Sequence, residues 1–258
     1  MILKRTKINK INLANRFVIS PMCQYSANNG NPSEWHYEHL LRLARTGAGM
    51  LMIESTSVNK IGRISKKDLT LANNKNEKSI SKLVKFLKKK TNIPLGIQIS
   101  HSGRKGSSEI PWIKSNQSLK KNAWNTIAPS PIKRTKLWPI PKEMTLSDIK
   151  KLINDFKKTA QRANRAKLDC LEIHMAHGYL LHQFFSKLSN IRKDEYGGSL
   201  ANRSRLLIEI SDAVRKVWPK GKILGARVTG SDWMKNGITE KDTIYLVKKL
   251  KKIGFDYV

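Results

Sequence analysis

The chain has 258 residues, of which 39% are hydrophobic, enough for a large buried core and too many for a disordered protein. Lysine and arginine total 50 against 19 acidic residues, which gives a formal net charge of +31. Such a charge is typical of proteins that bind nucleic acid or anionic membranes. However, the lysines are spread along the chain and no basic run alternates with aromatic residues, so we expect neither of these partners.

The two cysteines, Cys23 and Cys170, do not form a C-x-x-C pair. They therefore encode neither a disulfide framework nor a zinc or iron–sulfur site, and they fit a reducing compartment. The basic N-terminal segment lacks the apolar core of a signal peptide, and no stretch approaches the roughly 18 apolar residues that a membrane span needs. We therefore expect a soluble, cytoplasmic protein without a bound metal.

Short, almost continuously apolar runs alternate with longer helical patterns along the chain. The predicted strands are FVIS at 17–20, GMLMIES at 49–55, LGIQIS at 95–100, CLEIH at 170–174, ILGARVT at 223–229 and DYV at 256–258. Runs of this kind are typical of parallel strands that are covered on both faces. The alternation of strand and helix predicts an α/β protein.

Two of the predicted helices have clear starting signals. Thr145 and Asp148 are spaced as a capping box, and apolar residues follow at intervals of three and four up to residue 163. Thr239 and Asp242 repeat the signal before a second helix. The predicted apolar stripe of that helix is Ile244, Val247 and Leu250.

The pattern favours an eight-stranded (β/α)8 TIM barrel over an open, doubly wound sheet. No G-x-G-x-x-G follows the first predicted strand, so the usual dinucleotide-binding fingerprint is missing. In barrels the functional residues lie at the carboxyl ends of the strands. The polar or reactive residues at those ends are Ser20, Cys23, Glu54, Ser55, Gln98, His101, His174, His177 and Arg227.

The segment from His101 to Met144 shows no regular pattern, and a segment of that length is usually functional or mobile. Its tryptophans, Trp112, Trp124 and Trp138, either line a pocket or attach the segment to the barrel.

The stretch EIHMAHGYLLHQFFS at 172–186 contains three histidines and a tyrosine. Residues three apart on a strand point to opposite faces, so His174 and His177 can act together only if the chain turns there. Gly178 supports such a turn. The two imidazoles could then hold one carbonyl or nitro oxygen, and Tyr179 could place a phenolic proton nearby.

Three alternatives stay open at this point. His174, His177 and His182 could bind a metal, although no carboxylate other than Glu172 is a candidate partner. The histidines could instead be satisfied within the core. Cys23 could be a nucleophile that is activated by a distant histidine.

The segments SPMCQYS at 20–26 and EIHMAHGYLLHQFFSKLSNIRKDEYGGSLANRSRLLIEI at 172–210 resemble the Old Yellow Enzyme family of FMN-dependent ene-reductases, in its bacterial branch with a cysteine beside the flavin. Further similar segments follow in the family's order: IGRISKKDL at 61–69, GIQISHSGRK at 96–105, IAPSPI at 127–132 and ARVTGSD at 226–232. The resemblance therefore extends along the whole chain.

The resemblance implies a set of FMN contacts. The residues concerned are Ser20, Pro21, Met22, Cys23, Ser55, Gln98 and Arg227. Cys23 would tune the flavin's potential, Gln98 would bind the pyrimidine edge, and Arg227 would place a positive charge near N1 and the C2 carbonyl. Related enzymes commonly have alanine where this chain has Ser55, so a shift in hydrogen bonding to the flavin is expected there.

The resemblance also implies the reaction. NADPH or NADH would reduce the flavin, which would pass a hydride to an α,β-unsaturated carbonyl compound. His174 and His177 would hold the carbonyl oxygen, Tyr179 would protonate the α-carbon, and Tyr25 would line the substrate pocket. The H-x-x-H-G-Y pattern together with SPMC favours this branch over related barrels that carry an iron–sulfur cluster.

Counted against the family, residue 258 falls inside the sixth strand. The expectation is one FMN-binding domain over 1–258, an incomplete barrel with about six of eight strands and without the last two βα units, where barrels often bind phosphate. One hypothesis is an enzyme whose barrel is completed by the rest of a longer protein, by homo-oligomerisation or by a complementing chain. The other is an inactive, truncated fragment that does not retain FMN.

Overall fold

The computed structural model describes residues 2–258. An antiparallel hairpin of β1 (Thr6–Ile8) and β2 (Ile11–Leu13), which the sequence patterns did not predict, opens the chain. The later strands are β3 (Val18–Ile19), β4 (Met50–Ser57), β5 (Leu95–Ser100), β6 (Ile127–Ala128), β7 (Lys142–Glu143), β8 (Cys170–Met175) and β9 (Ile223–Val228).

The central sheet has the order β3-β4-β5-β8-β9, and all of its neighbouring strands are parallel. Four of these strands agree with the predicted ones to within two residues at either end, whereas β3 comprises only two of the four residues predicted. The predicted strand at 256–258 is reduced to a parallel bridge between Gly225 and Tyr257. This is the arrangement of an incomplete (β/α)8 barrel, as predicted.

Six α-helices accompany the strands in the described part of the chain. They are α1 (Glu34–Ala44), α2 (Asn74–Lys90), α3 (Leu146–Arg165), α4 (Leu180–Phe185), α5 (Leu200–Arg215) and α6 (Glu240–Ile253). Both predicted capping boxes are present, at Thr145 with Asp148 and at Thr239 with Asp242. None of these helices combines the length and the hydropathy needed to cross a membrane.

The apolar stripe predicted for α6 is confirmed at Leu250, whereas at Ile244 and Val247 it is one residue out of phase. Ile244 is 52% exposed, and the residues of α6 that are buried are Thr243, Leu246 and Leu250. The Thr243 hydroxyl donates to the carbonyl oxygens of Thr229 and Gly230 at 2.8 and 2.9 Å. These tertiary hydrogen bonds hold Thr243 against the end of β9, and the helical period then turns Ile244 toward solvent.

The main core lies between the sheet and its helices, where side chains such as Ile97, Phe156 and Leu207 are fully buried. A second, smaller cluster on the other side of the sheet packs the hairpin against its strands; it contains Leu13, Met50, Met52, Cys170 and Ile223. The near-continuous apolar character of the strands reflects this burial on both faces.

The segment 101–144 is more ordered than its sequence pattern indicated. It contains a 3₁₀ turn at Gly103–Lys105, and β6 and β7 pair with each other. Trp124 donates to the Ile61 carbonyl at 2.9 Å and so attaches the segment to the barrel, whereas the buried Trp138 donates to the Asn116 carbonyl within the segment itself. Trp112 is 64% exposed, and its ring meets that of Tyr25 edge to face at 5.6 Å.

Candidate active site

The turn after β8 brings His174, His177 and Tyr179 together. His177 and Gly178 both adopt left-handed backbone conformations, with φ of 58° and 68°, and they reverse the chain just after the strand. The ring centroids of His174 and His177 are 4.9 Å apart, and those of His174 and Tyr179 are also 4.9 Å apart. The predicted turn is therefore present, and it clusters the predicted side chains.

Hydrogen bonding determines the tautomer of His174. The backbone N–H of Ala176 donates to His174 Nδ1 at 3.1 Å, so the ring proton lies on Nε2. Burial, helped by the charges of His177 and Arg227, lowers the pKa of His174 well below 6.5. Burial also lowers the pKa of His177. Both rings are therefore neutral at neutral pH, and His174 offers a single N–H donor.

Unlike the other two histidines, His182 uses both ring nitrogens in hydrogen bonds within the protein. Its Nδ1 accepts a hydrogen bond from the backbone N–H of Gly178 at 2.6 Å, and its Nε2 lies 2.8 Å from Asp232 Oδ1. Burial opposes ionisation of Asp232, but hydrogen bonds from His182 and Ser186 lower its pKa to about 2. His182 thus stabilises the turn, and among residues 2–258 no group of three His, Cys, Asp or Glu side chains is arranged for a metal.

Arg227 lies at the end of β9, beside His174 in the parallel register. It shares the lining of a cavity of about 600 Å³ with Ser20 and Pro21 from the end of β3. Within the described chain, no carboxylate lies within 4.0 Å of its guanidinium, so Arg227 forms no ion pair there. Its charge is available to a ligand.

Gln98 is oriented by a buried network. Its Nε2 donates to Glu172 Oε1 at 2.7 Å, and the Tyr257 hydroxyl donates to the other Glu172 oxygen at 2.9 Å. In the described part of the chain no group donates to Gln98 Oε1. The amide oxygen is therefore free to accept a hydrogen bond from a ligand N–H.

Glu54 holds the segment that carries Met22, Cys23 and Tyr25. Its Oε2 accepts a hydrogen bond from the backbone N–H of Gln24 at 2.9 Å. Met22 is exposed and Cys23 is half-buried. Burial, followed by the charges of Asp68 and Glu54, raises the pKa of the Cys23 thiol. A neutral thiol argues against the nucleophile alternative.

Ser55 does not present an isolated hydroxyl. Its Oγ lies 2.6 Å from Ser100 Oγ on the neighbouring strand, and both side chains are buried. Serine at position 55, where related enzymes commonly have alanine, is therefore accommodated by the hydroxyl of Ser100. Sequence reasoning did not identify Ser100.

Sequence reasoning also missed two cations near Tyr179. Lys105 donates to the His177 carbonyl at 2.7 Å, and its ammonium lies 5.0 Å from the centroid of the Tyr179 ring. Arg134, on the same long segment, lowers the pKa of Tyr25 and Tyr179, although burial raises both pKa values overall. The signal that could have pointed to Lys105 is its place at the end of GIQISHSGRK, directly after a strand.

These donors and acceptors fit an isoalloxazine ring. The ring carries an N–H that Gln98 Oε1 could accept and an electron-rich edge that the free guanidinium of Arg227 could stabilise. The cavity is lined by Arg227 and by Glu172, the carboxylate to which Gln98 donates. The side chains present therefore fit FMN.

Comparisons with known proteins agree. The sequence profile of the NADH:flavin oxidoreductase / NADH oxidase family matches residues 2–258. An NADH:flavin oxidoreductase of Gibberella zeae is 39% identical over 266 residues, covering 97% of this chain and 64% of that protein. An NADPH dehydrogenase of Clostridium acetobutylicum is 40% identical over 250 residues, covering 95% of this chain and 69% of that protein. The chain thus spans about two thirds of the length of these relatives.

The structure of the old yellow enzyme homologue from Zymomonas mobilis superposes with a TM-score of 0.84, at 22% identity, over 99% of this chain and 71% of that one. This likeness confirms the fold. The chain therefore belongs to the NADH:flavin oxidoreductase / NADH oxidase family, the Old Yellow Enzyme family predicted from its sequence, whose cofactors are FMN and a nicotinamide nucleotide.

Proposed function

We propose that this chain carries the active site of an FMN-dependent NAD(P)H oxidoreductase that reduces the activated C=C bonds of α,β-unsaturated carbonyl compounds. The observation that supports this reaction best is the pair of neutral imidazoles at one strand end, with a phenol beside them.

The histidine pair binds and polarises the substrate. His174 Nε2–H donates to the carbonyl oxygen, and His177, 4.9 Å away between ring centroids, approaches the same oxygen from the turn. Both hydrogen bonds strengthen as negative charge develops on that oxygen, which makes the β-carbon a better hydride acceptor. Tyr25, whose ring packs against Trp112, lines the pocket.

Tyr179 is the proton donor in this proposal. Burial raises the pKa of its hydroxyl above the usual value of 10, so that it stays protonated at neutral pH. Its ring meets that of His174 edge to face, which supports a role for the phenol next to the carbonyl group that His174 would bind. The phenol is therefore available to protonate the α-carbon.

Other side chains hold the cofactor. Bound FMN would supply a hydride to the substrate after its own reduction by NADPH or NADH. Arg227 and Gln98 bind its polar edge. The residues that pack around the ring are Ser20, Pro21, Met22, Cys23 and Ser55.

The alternative of an inactive fragment is not favoured. The family match runs through residues 2–258, and the site side chains come from the carboxyl ends of five neighbouring parallel strands.

The experiment begins with the absorbance spectrum of the purified chain after incubation with FMN and desalting. We expect retained flavin that NADPH bleaches without oxygen and that 2-cyclohexenone restores. His174→Ala and His177→Ala are each expected to lower kcat/KM for the enone about 100-fold, the cost of removing one oxyanion donor, with flavin reduction by NADPH unchanged.

His39→Ala is the matched control, because His39 stacks on Trp35 and is not part of the site. Failure to retain flavin would contradict the proposal for this chain. Retained flavin that NADPH bleaches but enones do not reoxidise would contradict the ene-reductase reaction alone.

A further inference from the structure

Two cations of the segment 101–144 lie near Tyr179 without a counter-ion. Lys105 and Arg134 are both half-buried, and among residues 2–258 no carboxylate lies within 4.0 Å of either side chain. Most other lysines of this basic chain are exposed, where water screens their charge. These two cations therefore differ from the general lysine excess.

Lys105 is held at a defined position. Its ammonium donates to the His177 carbonyl at 2.7 Å and lies 5.0 Å from the Tyr179 ring centroid. Among residues 2–258 this carbonyl is the one hydrogen-bond partner of the ammonium, so two of its three N–H groups remain for a ligand. Burial, followed by the charges of Arg134 and Arg104, lowers its pKa to about 8, and the side chain is still mostly charged at neutral pH.

Arg134 is also fixed by its surroundings. Its guanidinium stacks over Trp138 at 4.4 Å and donates to Asn116 Oδ1 at 2.5 Å. Arg104 donates to the carbonyl oxygens of Ile132 and Lys133 at 3.1 and 3.3 Å, which holds the segment that carries Arg134 in place. Among residues 2–258, Asn116 is its one hydrogen-bond partner, so most of the five N–H donors of Arg134 remain for a ligand.

Holding these charges together costs free energy, because partial burial removes water and like charges repel. An anion placed between them would relieve the repulsion and accept charge-assisted hydrogen bonds from both. A cationic pair of this kind, fixed by aromatic stacking and backbone contacts before any ligand arrives, is preorganised for binding.

We infer that Lys105 and Arg134 bind an anionic oxygen group, a carboxylate or a phosphate, that belongs to the molecule bound over His174 and His177. The inference rests on the proposed function and names the substrate class: enones that carry a carboxylate. The position favours the substrate over the nucleotide as the source of the anion, since the ammonium lies close to the ring of the proton donor, Tyr179.

The test measures binding without turnover. The chain with FMN is titrated with 4-oxo-2-pentenoate and, separately, with its uncharged methyl ester, in the absence of reductant. Flavin absorbance and the fluorescence of Trp138 and Trp112 report binding. We expect the enoate to bind at least tenfold more tightly than the ester, equivalent to about 1.4 kcal/mol.

Lys105→Gln and Arg134→Gln are each expected to weaken enoate binding about tenfold and to leave ester binding within twofold. Arg134→Lys, which keeps the charge, should retain most of the enoate preference. Lys136→Gln is the control, because Lys136 is an exposed lysine of the same segment and its loss changes the net charge equally.

A parallel titration with adenosine 2′-phosphate and adenosine separates the two sources of the anion. If Lys105→Gln and Arg134→Gln weaken binding of the enoate alone, the site binds the substrate. If they weaken binding of adenosine 2′-phosphate alone, the site binds the nucleotide. Equal binding of enoate and ester, or an equal effect of Lys136→Gln, would overturn the inference. Because the ester tests the histidine pair alone, failure of the proposed function would appear there instead.

Discussion

Burial sets the protonation state of each ionisable side chain in the candidate site. It lowers the pKa of His174 and raises those of Tyr179 and Cys23, so that all three are neutral at neutral pH. A neutral imidazole and a neutral phenol are the forms that can donate hydrogen bonds without bringing a charge into the pocket. Burial in the barrel therefore also keeps the side chains of the candidate site in their neutral forms.

Asp68 should make the stability of the protein depend on pH. This carboxyl group is 1% exposed, and burial raises its pKa from 3.8 to about 7, despite hydrogen bonds from Ser65. The folded chain therefore holds the proton more tightly than the unfolded chain. The contribution of Asp68 to the free energy of unfolding is fully present below about pH 4 and is lost as the pH rises to about 7.

For one group, the free energy of unfolding can fall by about 1.4 kcal/mol per pH unit. We expect Asp68→Asn to reduce this fall, because asparagine cannot ionise. Urea unfolding at several pH values between about pH 4 and about pH 8 measures how the free energy of unfolding depends on pH. Asp212→Asn, in α5, serves as the control. A variant whose stability declines as steeply as that of the wild type would show that Asp68 is not responsible.

At the scale of single elements, the helix caps are local and separable from the site. The Thr145 hydroxyl accepts the backbone N–H of Asp148 at 3.1 Å, and the Asp148 carboxylate accepts that of Thr145 at 3.1 Å. Thr145→Ala should lower the free energy of unfolding by about 1 kcal/mol, because it leaves an N-terminal N–H of α3 without its partner.

Chemical denaturation measures this difference, and Ser147→Ala is the matched control, since Ser147 is exposed two residues further along the same turn. Equal stability of Thr145→Ala and Ser147→Ala would mean that water replaces the cap at no cost. FMN binding should be the same in both variants, because neither Thr145 nor Ser147 is among the residues that would hold the cofactor.

On the scale of the whole molecule, a network at the sheet's inner face connects distant parts of the chain to the candidate site. Tyr257 donates to Glu172, which accepts from Gln98. Gly225 of β9 allows this arrangement, because a Cβ added there would lie 2.1 Å from Cζ of the Tyr257 ring. The Tyr257 ring can therefore reach Glu172 only if position 225 is glycine.

Gly225→Ala should destabilise the protein by about 1–3 kcal/mol, the usual cost of overpacking, and should release the Tyr257 hydroxyl from Glu172. The free energy of unfolding in urea and the ultraviolet absorbance of tyrosine measure the two effects. Gly230→Ala is the control, because no atom lies within 4 Å of the position where its Cβ would be. A stable Gly225→Ala variant with an undisturbed tyrosine would refute this role.

The sequence by itself determined what depends on neighbouring residues. The buried strands, both capping boxes and the turn at Gly178 were predictable, because periodicity, capping and left-handed glycine act over a few residues. The family motifs added the identity of the cofactor and the candidate side chains.

Only the tertiary structure decided which distant residues meet. The pairs His182 with Asp232, Ser55 with Ser100 and Lys105 with Tyr179 are 50, 45 and 74 residues apart in the chain. Their contacts depend on which strand ends are neighbours and on how long segments fold back over them, and no local pattern encodes either. The phase of α6 follows from the same cause, since hydrogen bonds to the end of β9 hold Thr243 inward.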